Sequence, residues 1–256
     1  MLSIAGSDSG GGAGIQADLK AFAAVGVHGM TAITAITAQN TVGVTGVYPL
    51  PPEAIVEQVR AVAEDIGVDA VKIGMLGSVE TVRAVEQALD LVGDAPVVVD
   101  PVMVAESGSR LLDADAVGAL RELISEHATV VTPNVPEARI LADDDADPEE
   151  LAMVIRGLGP DVVVVTGGHR DQAVDVFYDG EQLVEISGPR FSDGAAHGSG
   201  CTHSSALAAW LARGATPLEA ARKAKELASS AIEHGLRDIG AGAGPVDALG
   251  STRRVS

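Results

Sequence analysis

Short β-branched apolar runs recur along this chain, each ending in a polar or glycine-bearing loop and each followed by a helical pattern. The runs are 2–5 (LSIA), 30–37 (MTAITAIT), 70–75 (AVKIGM), 96–99 (PVVV), 129–131 (TVV) and 162–165 (VVVV). They alternate with helical patterns at 15–25, 52–65, after Ser78 as N-cap, and at 113–125. Runs this short and this apolar read as strands buried on both faces, and strands separated by helices predict a mainly parallel sheet covered on both sides. The rhythm changes after 165. Segments 173–178 and 182–186, joined by Asp179-Gly180, predict a β-hairpin. Helices to about 212 and over 217–234 follow, then a glycine-rich tail to Val246. The acidic run at 143–147 (DDDAD) reads as a solvated face or salt-adapted insert. With no internal repeat and no linker rich enough to divide it, the chain is expected to be one domain over 1–256.

Aromatic residues make up 2% of the chain against 46% hydrophobic, so the core must be aliphatic. The formal charge of −19, from 36 acidic and 17 basic residues, repels phosphate backbones and anionic membranes, which argues against nucleic-acid partners. Only Lys20, Lys72, Lys223 and Lys225 are lysines; an acidic, lysine-poor surface is expected of a protein kept soluble in high salt. One cysteine excludes an internal disulfide framework and a Cys-based zinc cluster. The N-terminus lacks a basic segment and no apolar run approaches the roughly 18 residues of a membrane helix, so a cytoplasmic location without membrane contact is expected.

Chemistry-bearing residues collect where the runs end. His197 to Thr202 (HGSGCT) is a glycine loop running into an alanine-rich helix, a combination that suits an anion such as phosphate. Cys201 lies at that helix start, where a thiol is expected to have a lowered pKa and to serve as base or nucleophile; the alternative is a small buried hydrophobe. The loop from Gly6 to Gly14 lets backbone approach a ligand closely, but it is too long for a dinucleotide fingerprint. No acidic residue between Asp18 and Glu53 is available to hold a ribose, and no Walker loop is present. Gln39 offers donor and acceptor to a planar heterocycle, or caps its own loop. Asp100, before Pro101, suits a metal or a turn, and Asn134 and Glu137 either flank a site or cap a helix.

The stretches AGSDSGGGAG, ADLK, TAITAQN, KIGML, DPVM, TPNVPE, GGH, HGSGC and GPV stand here in one order, from Leu2 to about Val246. In this the chain resembles the hydroxymethylpyrimidine and phosphomethylpyrimidine kinases of thiamine biosynthesis. The resemblance implies a ribokinase-like three-layer α/β fold, with a small β-hairpin beside the mainly parallel sheet. It implies ATP and Mg²⁺ as cofactors, a small-molecule pyrimidine substrate phosphorylated once and then again, and a homodimer. By position, Gln39 resembles the residue that hydrogen-bonds the aminopyrimidine, with Ala13, Met75 and Val102 as apolar walls. Asp100 and Glu137 resemble the acidic groups near magnesium. Thr166, Gly198, Ser199 and Lys225 fall where the family handles ATP. Gly198, Gly200 and Cys201 resemble the family's catalytic anion loop, which implies Cys201 as proton acceptor or transition-state donor.

The chain departs from the family pattern in carrying Thr166 where a lysine is usual, and Ala196 and Ser199 where threonines are usual. Three other readings share some of these features: a pyridoxal kinase of the same fold, a non-catalytic pyrimidine-sensing domain, and a nucleotide-dependent oxidoreductase. Gln39 with Met75 favours the pyrimidine over pyridoxal, and Asp100, Glu137 and Cys201 together favour catalysis. Only ten residues follow Val246, so no fused second thiamine-pathway domain is expected.

Overall fold

The computed structural model describes residues 1–105, 108–167, 173–191 and 195–250. Its strands are β1 (Leu2–Asp8), β2 (Met30–Gln39), β3 (Val44–Pro49), β4 (Val71–Ile73), β5 (Val97–Val99), β6 (Val130–Val131), β7 (Val162–Val165), β8 (Ala173–Tyr178) and β9 (Leu183–Gly188). They form one sheet in the order β3-β2-β1-β4-β5-β6-β7-β8-β9. From β2 across to β7 every pairing is parallel, whereas β3 at one side and β8 and β9 at the other run antiparallel.

The helices are α1 (Gly14–Val25), α2 (Pro52–Asp65), α3 (Val79–Leu89), α4 (Ala116–His127), α5 (Val135–Ala142), α6 (Pro148–Arg156), α7 (Ser199–Ala212) and α8 (Pro217–Glu233). Strand pleating sends successive side chains to opposite faces, and the valine runs show the result. Val97 and Val99 pack with α2 to α6, while Val98 packs with α1, α7 and α8. Both cores are almost wholly aliphatic, with Phe22 and Phe177 as the large aromatics buried in the second. This is the three-layer arrangement expected from the alternation.

Local chemistry accounts for the element ends. Ser78 caps α3 by accepting from Thr81 N, and Asn134 and Glu137 form a reciprocal capping box on α5. Two elements differ from expectation. The Thr/Gly-rich stretch after Gln39 is a turn followed by β3, because Asn40 Oδ1 accepts from the N–H groups of Val42 and Gly43 and folds the chain back on β2. The hairpin turn spans four residues, 179–182, since Asp179 Oδ1 accepts from both Glu181 N and Gln182 N.

Candidate active site

Every parallel strand releases its chain at the same edge of the sheet. In sheet order this edge carries Gln39, Asp8, Met75, Asp100, Asn134 and Thr166. At a strand spacing of about 4.8 Å, the edge from β2 to β7 is roughly 24 Å long, room for a small acceptor at one end and a nucleotide at the other.

The two glycine loops interlock above this edge. Asp8 accepts from Gly10 N (2.7 Å), Gly12 N (2.9 Å) and Ala13 N (2.9 Å), and its Oδ2 lies 3.0 Å from His197 Nε2. Burial pushes the Asp8 carboxyl pKa up, but the His197 bond and the three N–H donors outweigh it and hold the group below its usual range. Asp8 thus fills the nest of its own loop. The first glycine loop serves as a brace for the second, and Ala13 serves at once as a donor to Asp8 and the N-cap of α1. A Cβ on Gly198 would lie 1.7 Å from Gly12 O, and Gly198 has φ of +82°, so only glycine fits there.

At the start of α7 the geometry opens. A Cβ on Gly200 would meet nothing within 4 Å. Ser199 N donates to Ala196 O and Thr202 N to Gly198 O. The N–H groups of Gly200 and Cys201 have no partner among the described residues. Two unpaired donors at the N-terminus of a 14-residue helix, beside open space, form an anion hole. Cys201 is half-buried. Burial of its thiol raises the pKa to about 12, and Asp100 and Asp18 add to the rise while Lys72 and the Gly14 N–H pull it down. This corrects the lowered value expected of a helix N-terminus: desolvation and two nearby carboxylates outweigh the dipole, and the thiol is protonated at neutral pH.

Asp100 follows β5 and accepts from Ser204 Oγ at 2.8 Å, one turn along α7 from Cys201. Glu137 accepts from Asn134 N (3.0 Å) and Met103 N (3.3 Å). Burial first, then the charge of Asp100, pushes the Glu137 carboxyl up to about 8 against those two donors. The pair Asn134 and Glu137 therefore both cap α5 and place a carboxyl beside Asp100. Among the described residues no three His, Cys, Asp or Glu side chains form a ready-made cage. Magnesium needs only one or two protein carboxylates when phosphates and waters complete its shell, and two neighbouring carboxyls whose repulsion a divalent cation would relieve, displacing the Glu137 proton, would fit that demand.

At the β2 end, the Gln39 amide lies 3.0 Å from Thr37 Oγ1, which also donates to Ser7 O (2.9 Å); the other end of the amide is left for a ligand. Met75 is buried with its methyl over Gly6, whose Cβ would lie 2.5 Å from Met75 Cε. Val102 N donates to Asp100 O, holding Val102 to the Asp100 end of the edge. At the other end Thr166 N donates to Pro133 O (2.8 Å), tying β7 to the Asn134 loop. The Gly168-His169 pair lies outside the described residues. Lys225 is buried on α8 with Nζ 2.7 Å from Asp175 Oδ1, the same oxygen that accepts from Gly167 N. It also lines a groove of about 500 Å³ between β9 and α8 that takes in none of Cys201, Asp100 or Gln39. Lys225 is thus brought to the β7 end through Asp175, apart from the residues at α7's first turn.

Four participants were given no role from the sequence: Asp8, Asp18 and Lys72, which lie within the stretches AGSDSGGGAG, ADLK and KIGML, and Asp175, which lies in none of them. Lys72 had a readable signal, because a charge inside the apolar run AVKIGM demands a buried partner.

A family model described as phosphomethylpyrimidine kinase matches residues 8–247. The chain belongs to the phosphomethylpyrimidine kinase family. A Rhizobium meliloti protein named hydroxymethylpyrimidine/phosphomethylpyrimidine kinase is 49% identical to this family member, over 96% of this chain and 95% of its own. Among solved structures, phosphomethylpyrimidine kinase from Clostridium difficile aligns with TM-score 0.80 and 42% identity, covering 90% of this chain and 98% of its own. An ADP complex of Bacillus subtilis pyridoxal kinase aligns with TM-score 0.88 and 39% identity, over 96% of both chains. The fold of this family member is accordingly that of pyridoxal kinase-like, ribokinase-type α/β enzymes.

Proposed function

We propose that this chain transfers the γ-phosphoryl group of ATP to the hydroxymethyl oxygen of 4-amino-5-hydroxymethyl-2-methylpyrimidine, and then to the monophosphate so formed. The observation that carries this reading is the pair of unpaired N–H groups of Gly200 and Cys201, set between the acidic residues and the Gln39 end of one strand edge. Gln39 binds the aminopyrimidine against Ala13, Met75 and Val102. Asp100 and Glu137 would hold magnesium, which when bound supplies charge neutralisation to the phosphates. Thr166, Ser199 and Lys225 serve the nucleotide end.

The hydroxymethyl oxygen forms the new P–O bond as the bond to ADP breaks. Transfer of this kind is largely dissociative, so positioning and stabilisation of charge on the transferred group matter most. A thiol that stays protonated acts as a donor to that group, beside the Gly200 and Cys201 N–H groups, and the hydroxyl proton passes late, to an oxygen of the transferred phosphoryl group and then to solvent. This favours the donor role for Cys201 over the proton acceptor. Replacement of Cys201 by Ser keeps a donor and is expected to retain more turnover than replacement by Ala.

A homodimer is part of the proposal. Ile36 and Tyr48 pair across β2 and β3 and are 48% and 64% exposed, an apolar face that a second copy would cover. No helix among the described residues is long and apolar enough to cross a membrane, which fits the proposed cytoplasmic site of action.

The test is incubation with magnesium-ATP and the hydroxymethylpyrimidine, following mono- and diphosphate by mass spectrometry, with pyridoxal as a competing acceptor. Sequential appearance of both pyrimidine products is expected. Exclusive phosphorylation of pyridoxal, or none of either, would overturn the reading.

A further inference from the structure

Lys72 sits in the middle of β4 with no exposed surface. Its neighbours Val71 and Ile73 pack toward α2 to α6, so the pleat turns Lys72 to the other face, under α1 and α7. There its Nζ lies 2.9 Å from Asp18 Oδ1 and 3.9 Å from Asp100 Oδ2. Asp18, on α1, is equally buried and also accepts from Ser3 Oγ (2.5 Å) on β1 and Ser205 Oγ (2.7 Å) on α7. A Cβ on Gly74 would come within 2.8 Å of the ammonium, so the backbone two residues on is kept bare to admit it.

Stability alone gives little reason for this pair. Removing two charges from water costs several kcal/mol per ion, and apolar side chains of similar volume often do as well. What the pair supplies is an ammonium fixed in place by Asp18 within 3.9 Å of Asp100, whose own partner Ser204 lies on α7. Asp18 supplies one hydrogen bond to the ammonium; Asp100, at 3.9 Å, is beyond hydrogen-bond reach and is held by charge. The field of the same ammonium reaches the Cys201 thiol.

We propose that Lys72, clamped by Asp18, which Ser3 and Ser205 hold in turn, is a positioning residue for phosphoryl transfer, the buried counter-charge that keeps Asp100 seated on Ser204 beneath the anion hole. This rests on the kinase reading above. It acts through Asp100 and the α7 turn, not by touching substrate.

The decisive variant is the double replacement Asp18→Asn with Lys72→Met. It removes both charges and leaves an amide whose oxygen accepts from one of Ser3 and Ser205 while its NH2 donates to the other hydroxyl, whereas Lys72→Met alone leaves Asp18 uncompensated. The double variant is expected to melt near the wild-type temperature, with kcat reduced about tenfold or more and the KM values for ATP and pyrimidine changed less than about threefold. Wild-type kcat in the folded double variant would reduce Lys72 to a core residue and overturn the proposal. Should the double variant fail to fold, Ser205→Ala decides: both charges stay but the clamp to α7 is lost, so a lower kcat at unchanged KM supports the role and a wild-type kcat overturns it. Wild-type protein that transfers no phosphoryl group removes the kinase reading itself, and with it this role, whereas an active wild type with a fully active variant removes the role of Lys72 alone.

Discussion

Gly198 and Gly200 are two residues apart and do opposite things. Gly198 is held at φ of +82° with its missing side chain replaced by Gly12 O, while Gly200 is helical and faces open space. Gly198→Ala is therefore expected to destabilise the protein by about 1–3 kcal/mol and to disorder the loop. Gly200→Ala is expected to stabilise it by up to about 1 kcal/mol as a better helix former, yet to weaken turnover by filling the space a phosphate would take. Melting curves beside kinetics separate the two; equal losses of stability would refute the contrast. Glu137 offers a second residue-level test. Its carboxyl holds a proton to about pH 8 in the fold but only to its ordinary 4.5 when unfolded. Over that window the native state binds more protons, so metal-free stability is greatest below the lower value and is lost as pH rises through the upper one, by at most about 1.4 kcal/mol per unit. Urea midpoints from pH 5 to 8 should fall in the wild type and fall less in Glu137→Gln. The motif residues Gln39, Asp100, Glu137 and Cys201 were legible because each stands at a strand end or helix start. The state of the Cys201 thiol was not, since it depends on Asp18, Lys72 and Asp100, which only the folded chain brings near it.

At the scale of elements, the parallel strands were readable because burial on both faces makes them continuous apolar runs. β3 was not, because an edge strand has one solvated side and its sequence, VTGVYP, looks like a loop until Asn40 turns it onto β2. The same applies to the four-residue hairpin turn, where a side-chain acceptor on Asp179 overrides the Asp-Gly pair. The apolar pair Ile36 and Tyr48 gives this edge its consequence: Tyr48→Glu is expected to yield a monomer by light scattering with its fold intact, and an unchanged mass would place the dimer surface elsewhere. The α5 cap is a separate case. Asn134→Ala removes the acceptor for Glu137 N and should cost about 1 kcal/mol. Because the same box aims Glu137, the loss should reach activity as well.

For the whole molecule, 36 acidic against 17 basic residues leave a net charge of −19 to be held in one compact fold. Self-repulsion of that size weakens as salt shortens the Debye length from about 10 Å at 0.1 M to about 3 Å at 1 M. The melting temperature is expected to rise from dilute buffer to molar potassium chloride, and equal stability in both would dispose of the high-salt adaptation. The alternation of Val97, Val98 and Val99 between the two cores bears on how the molecule comes apart. Each strand is a shared wall, so neither layer of helices can melt while the other keeps its footing. Heat should therefore take the protein from native to unfolded as one cooperative unit, and the strand edge that gathers the site would vanish at the same temperature as the fold that carries it.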